Sequence, residues 1–159
     1  MSQTDDTQIP MVLNPIGWIK NDIKETGMRD WDRIESKLVL DPGLQEALDG
    51  LEEFSHLVVL FWMHRSPVKE SFTLKTHPQR REDLPLVGVF ATRSPVRPNP
   101  LGMTVVKLLE RKDNVLKVIG LDAIDSTPVI DVKPYLPSDS VTQMQVPDWV
   151  HKLRKFTSK

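Results

Sequence analysis

The sequence predicts a mainly β protein: a compact single-sheet β barrel with a short helix near residues 42–49 and a C-terminal helix. Three observations lead there. Short apolar runs recur in series from Ile16 to Lys133 with turn residues between them. Helical punctuation appears only at the margins of that series. One run, Leu57 to Met63, is apolar at every position, as in a strand buried on both sides. At 159 residues and 39% hydrophobic content the chain has material for one core. Residues 12–159 therefore read as one domain, behind a flexible polar N-terminus at residues 1–11.

VLNPIGWIK opens the ordered chain, and its Ile16 and Trp18 suit a strand. NDIKETGMRDWDRIE has mixed charge and no clean period, so it reads as a loop, followed by a strand from Ser36 to Leu40. Trp31 in that loop is either a pin to the core or a stacking surface over a flat ligand. DPGLQEALDG is punctuated at both ends, with Asp41 as N-cap, Pro42 at the first helical position and Gly50 as the closing glycine. The apolar run of LEEFSHLVVLFWMHR follows as the centre of the sheet. Residues 66 to 85 carry three prolines and no apolar period, a long surface loop of the kind that is functional or mobile. Strands are expected at Leu86–Thr92, Met103–Glu110, Val115–Asp122 and Val129–Lys133, with Lys112-Asp113-Asn114 as a hairpin turn. Trp149, Val150, Leu153 and Phe156 stand at helical spacing after Pro147 and predict the closing amphipathic helix.

The chain has no cysteine, which excludes disulfide frameworks, thiolate metal sites and thiol nucleophiles. MSQTDDTQIPMVLN lacks the pattern of a secretory signal, and no stretch approaches the roughly 18 apolar residues of a membrane span, so a cytoplasmic protein is expected. A formal charge of −1 argues against indiscriminate nucleic-acid binding. Basic residues do cluster at Lys75, His77, Arg80 and Arg81 and again at Lys152, Arg154 and Lys155, either as a small basic patch or as solvated surface.

The densest motif is GVFATRSPVRPNPLG, residues 88 to 102. Pro95, Pro98 and Pro100 fix their own φ and push Ser94, Arg97 and Asn99 toward extended backbone, so the segment is nearly preset before folding. Three missing N–H donors keep it out of a sheet centre and place it along a rim. Arg93 and Arg97 there suit a carboxylate or phosphate, or else salt bridges within a rigid turn. LDAIDSTPVIDVKPY gathers Asp122, Asp125 and Asp131 with Ser126 and Thr127. Those carboxylates can accept from ribose hydroxyls or an amine, or simply form a turn. His56 and His64 share a strand face but lack a third ligand, so no metal is expected. Walker, dinucleotide and nucleophile-elbow patterns are absent from the sequence.

LEEFSHLVVLFWMHR, GVFATRSPVRPNPLG and LDAIDSTPVIDVKPY together resemble the signature blocks of the TsaA-like (YaeB-type) domain family, over roughly Ile16 to Tyr135. The resemblance implies a β barrel that binds S-adenosyl-L-methionine, usually as a homodimer. It also implies methylation of N6 of threonylcarbamoyladenosine next to the anticodon of tRNA. Carried over by motif, the cofactor contacts fall at His64, Arg65, Arg93, Met103, Asp122, Ala123, Ile124 and Asp125, with Arg97 and Asn99 toward the substrate. Arg93 would hold the methionine carboxylate and Asp122 or Asp125 the ribose or amine. No proton acceptor is identified, Asp125 and His64 being the candidates. A domain that binds the cofactor or another anion without turnover is the alternative. The sequence departs from the family at Ser126, where glycine is usual.

Overall fold

A computed structural model describes residues 11–27, 29–66 and 73–153. Six strands close a barrel in the order β1-β2-β7-β6-β3-β8, and β4 and β5 form a separate two-stranded sheet. The strands are β1 (Gly17–Lys20), β2 (Glu35–Leu40), β3 (His56–Trp62), β4 (Lys75–Thr76), β5 (Val87–Gly88), β6 (Leu101–Lys112), β7 (Val115–Ile119) and β8 (Pro128–Pro134). Every pairing is antiparallel.

Alternation along the strands fills the interior. Ile19, Leu38, Leu57, Val59, Leu116, Val118 and Val129 are fully buried, each from a strand position whose neighbours point outward. Each such side chain contributes about 1.5–3 kcal/mol relative to exposure. The barrel closes where β1 meets β8 through Gly17↔Val129 and Trp18↔Pro128. Only glycine fits at Gly17, because a Cβ there would lie 2.4 Å from the Val39 carbonyl oxygen. Gly102 is the second such position: a Cβ would meet the Phe61 ring at 2.2 Å.

Four sequence expectations need adjusting. The β3 run is not buried on both sides: Leu57, Val59 and Phe61 enter the core, while Val58, Leu60 and Trp62 stay half-buried on the outer face. A closed barrel has only one interior, so the second apolar face is left outside. The 42–49 helix is a 3-10 segment, Pro42–Leu48, with the Asp41 carboxylate accepting from Gly43 N at 2.8 Å. The strand expected at Leu86–Thr92 shortens to Val87–Gly88 and then turns through Val89–Ala91, since the prolines that follow offer no ladder donors. The C-terminal amphipathic helix is instead a 3-10 turn, Asp148–Lys152, with no buried residue. With Trp149, Val150 and Leu153 only half-buried, periodicity alone does not hold an α-helix; Phe156, Arg154 and Lys155 lie outside the described residues. No helix among the described residues is long and apolar enough to cross a membrane.

Candidate functional site

Antiparallel register decides which loops meet. Lys20 pairs with Lys37, Glu35 with Ile119, Trp62 with Leu101, and Phe61 with Val129. The ends of β1, β3 and β7 therefore lie beside the starts of β2, β6 and β8. The connections 21–34, 63–100 and 120–127 emerge at this end of the barrel, and 41–55 emerges at the other. The first three carry all the candidate residues except Met103.

The turn after β3 ties them together. His64 Nδ1 lies 3.3 Å from the buried Thr127 hydroxyl, Arg65 Nη1 donates to Lys24 O at 2.8 Å, and Ser66 Oγ donates to Pro95 O at 2.5 Å. Three consecutive side chains thus each clasp a different neighbouring loop. Asn21, directly after β1, adds a second clasp: its Nδ2 donates to Ser36 Oγ and Ala123 O, both at 2.9 Å, and its backbone N donates to Asp125 Oδ1 at 3.1 Å.

The proline block runs as a rim outside the sheet. Thr92 Oγ1 donates to Val89 O at 2.8 Å and accepts from Ser94 N at 3.2 Å, while the Ser94 hydroxyl accepts from Val96 N at 3.3 Å. The two arginines have different fates. Arg97 does not project outward as expected: its Nη2 donates to Thr92 O at 2.7 Å, and it folds into its own loop, half-buried. Carbonyls left without ladder partners by the prolines attract that guanidinium inward. Arg93 is exposed, and its guanidinium makes no hydrogen bond among the described residues. It is near enough to Asp122 to lower that carboxyl's pKa by its charge.

The two aspartates also differ. Asp122 keeps an exposed edge, but its carboxyl sits among enough protein to lose water, and this raises its pKa above the usual range. The Thr104 hydroxyl donates to it, which with Arg93 opposes the rise. Asp125 is held well below the carboxylate range, first by Lys24, whose Nζ lies 2.8 Å away, and then by Asn21 N and Ser126. It works as a staple between loops and is a poor proton acceptor. His64 has its pKa lowered by desolvation and by Arg65, so it is neutral at pH 7. Ala123 and Ile124, between the aspartates, are buried.

Met103 and Asn99 stand apart. Met103 is 52% exposed on the outer face of β6 opposite Leu60, while its neighbour Thr104 turns toward Asp122. Asn99 lines an outer groove with Trp62 and Leu101. His56 begins β3 and His64 lies past its other end, roughly 25 Å away along an extended strand, so they cannot share an ion. Trp31 is half-buried with the Arg29 guanidinium 5.2 Å from its ring centroid. Sequence reasoning passed over Asn21, Lys24, Thr104 and Phe90. Phe90 is 79% exposed within the rim block, and its place three residues before Arg93 was the available signal. Ser126 retains the turn that glycine makes elsewhere in the family: it adopts φ 62° and its hydroxyl donates to Asp125 Oδ2 at 2.9 Å.

Comparison with known proteins covers this whole end of the barrel. The family model for the tRNA-methyltransferase O N-terminal domain matches residues 26–140. A probable S-adenosyl-L-methionine-binding protein from Pyrococcus abyssi is 37% identical over 161 residues, covering 92% of this chain and 83% of that protein. The tRNA (adenine(37)-N6)-methyltransferase of Escherichia coli is 44% identical over 107 residues, covering 65% of this chain and 45% of that protein. A crystal structure of TrmO from Pseudomonas aeruginosa superimposes with a TM-score of 0.69 at 32% identity, covering 86% of this chain and 61% of that one. The chain thus spans less than half of the Escherichia coli methyltransferase, about three fifths of the TrmO chain and most of the Pyrococcus protein. It belongs to the tRNA-methyltransferase O N-terminal domain family, the TsaA-like family that its three sequence blocks resemble.

Proposed function

We propose that this chain is an S-adenosyl-L-methionine-dependent methyltransferase that methylates N6 of threonylcarbamoyladenosine next to the anticodon of tRNA. One observation carries the reading: Arg93, a cation without a hydrogen-bond partner among the described residues, stands on a preset rim beside the partly desolvated Asp122. An open cation and an acceptor carboxylate, side by side, fit the carboxylate and the amine or ribose of that cofactor. Bound S-adenosylmethionine supplies a methyl group already activated for transfer. The residues then have to hold the acceptor nitrogen in line and take a proton.

In this reading Arg93 grips the methionine carboxylate, Asp122 accepts from the amine or a ribose hydroxyl, and the backbone of Ala123 and Ile124 forms the floor. Arg65, Ser66 and Asp125 fix the three loops relative to one another. Arg97 holds the rim in shape, so its part in substrate binding is indirect. His64, neutral at pH 7, is the better proton acceptor, because Lys24 already engages Asp125. Phe90 offers an exposed ring on which a base can stack.

The barrel works as a homodimer in the cytoplasm. Support for pairing comes from the outer face of β1, β8, β3 and β6, where Trp18, Leu101, Met103 and Val105 are 47%, 36%, 52% and 44% exposed, and where Leu101 with Trp62, Pro128 and Ile130 lines a groove of about 360 Å³. Contiguous exposed apolar side chains mark interaction surfaces. Pairing there brings Met103 and Asn99 into the assembly. Sedimentation of a Met103→Glu variant as a monomer, with wild type as a dimer, is the expected result.

The Pyrococcus relative is named only as a binding protein, which favours a second reading in which the cofactor is held without turnover. The deciding experiment incubates the purified chain with labelled S-adenosylmethionine and tRNA carrying threonylcarbamoyladenosine, and digests the RNA for nucleoside mass spectrometry. A methylated threonylcarbamoyladenosine is expected. Cofactor binding with no methylated nucleoside would leave only the second reading.

A further inference from the structure

We infer that the outer face of β1, β2, β7 and β6, away from the apolar face, is a docking surface for the sugar-phosphate backbone of RNA. The inference rests on the tRNA reading above. Lys20 on β1 stands opposite Lys37 on β2, and Lys37 opposite Lys117 on β7. Lys107 and Lys112 project from the same side of β6, opposite Ile119 and Val115. Against these five lysines the face sets Glu35, Glu110 and, at the β6–β7 turn, Asp113; Glu35 pairs with Lys117 at 2.7 Å and Glu110 is its cross-strand neighbour. Lys37, Lys107 and Lys112 have no carboxylate partner among the described residues.

Like charges placed directly opposite across an antiparallel pair are destabilising, and Lys37 stands between Lys20 on one side and the Glu35-paired Lys117 on the other. The fold gains nothing from them, since the buried side of the same strands supplies the core. A polyanion would remove the repulsion. The chain as a whole carries a formal charge of only −1, so this positive face is a local concentration and not a reflection of overall charge.

Position strengthens the case. Lys37, Lys112 and Lys117 line a groove of about 440 Å³ together with Val39 and Val115, and Glu110 and Asp113 are the acidic residues on its wall. At its upper edge Lys20 Nζ reaches the Ser126 hydroxyl at 3.4 Å, next to Asp125 in the candidate site. A strand of RNA lying along the lysines therefore runs up to the loops that would hold the reacting adenosine. The apolar and lysine surfaces adjoin on β1 and β6, where Trp18 precedes Lys20 and Val105 precedes Lys107, and Lys37 and Lys117 on β2 and β7 lie beyond that seam.

The test uses the full chain with Lys37→Gln, Lys107→Gln and Lys112→Gln combined, since all three are exposed and glutamine preserves the stem. Affinity for tRNA is measured by fluorescence anisotropy from 50 to 200 mM salt, and cofactor affinity by calorimetry. The expected result is at least a tenfold loss of tRNA affinity at 100 mM salt, a salt slope shallower by about two to three, and unchanged cofactor binding. Lys133→Gln, a lysine paired with Asp131 at 2.7 Å, should leave all three as they were. Wild-type-like tRNA affinity and slope in the triple variant would overturn the docking face while the proposed function stands. Failure of the wild-type chain to bind tRNA would overturn both.

Discussion

Gly102→Ala tests how tightly the barrel is closed beneath the site. A Cβ at this position would sit 2.2 Å from Cε2, 2.3 Å from Cζ and 2.8 Å from Cδ2 of Phe61. Carbon atoms in contact settle near 3.5–4.0 Å, so the ring must retreat by roughly 1 Å or more. Phe61 is 3% exposed within the core cluster and cannot swing into solvent. Forcing an extra methyl into such packing costs about 1–3 kcal/mol. For a chain of this size that lowers Tm by about 2–12 °C. Phe61→Leu removes the offending ring atoms, so the double variant Phe61→Leu/Gly102→Ala should be at least about 1 kcal/mol more stable than the two single penalties added together. Urea denaturation of the four proteins measures the cycle. Strict additivity, or a Gly102→Ala protein as stable as wild type, would refute the packing argument. The displacement should also reach the site, because Met63 N donates to Pro100 O at 2.8 Å between the end of β3 and the start of β6.

Three further outcomes follow from the site. Arg93→Ala should weaken cofactor binding by about 1.5–3 kcal/mol in calorimetry, roughly 10- to 150-fold, with Tm nearly unchanged because Arg93 makes no hydrogen bond among the described residues; unchanged affinity would remove it from the site. The His64 imidazole has a pKa pulled below 6.5, so a transfer rate that depends on its neutral form should hold steady above that value and fall as pH drops through the lowered pKa. His64→Gln should abolish that limb of the profile. Asp125 has a folded-state pKa below its unfolded value, so its contribution to stability is fully present above about pH 4 and is lost as pH falls through the folded pKa. Lys24→Ala should cost no more than about 1 kcal/mol at pH 7, Lys24 being mostly exposed, and should flatten the loss of denaturation midpoint below pH 4.

The parts of the fold that were legible are those set by short-range rules. Short apolar runs between turn residues marked β2, β3, β6, β7 and β8, and Asp41 with Pro42 marked the helical turn after β2. The missing links are tertiary. Trp149, Val150 and Leu153 have helical spacing, yet they are only half-buried, and the segment forms a 3-10 turn at Asp148–Lys152. The apolar outer face of β3 looked like a second core layer, because a run such as Leu57–Met63 states how much surface is apolar and not what covers it. Closure through Gly17 and Gly102 was illegible because the atoms that exclude a Cβ come from Val39 and Phe61, far along the chain.

The site shows the same division. The prolines announced a preset rim, but the residues alone did not separate Arg93, followed by Ser94-Pro95, from Arg97, followed directly by Pro98; only the family resemblance gave one to the cofactor and the other to the substrate. Their difference arises from where carbonyls are left without donors: Thr92 O lies within 2.7 Å of Arg97 and consumes it, leaving Arg93 as the open cation. Asp122 and Asp125 were likewise interchangeable until Lys24 and Asn21, a hundred residues earlier, claimed the second. In each pair the residue that builds the frame is the one already engaged by neighbours, and the residue left open is the one with capacity for a ligand. By that criterion the carboxylate to mutate first is Asp122. Asp122→Asn, which keeps its shape and its bond to Thr104, should weaken the cofactor more than Asp125→Asn does after both are corrected for stability.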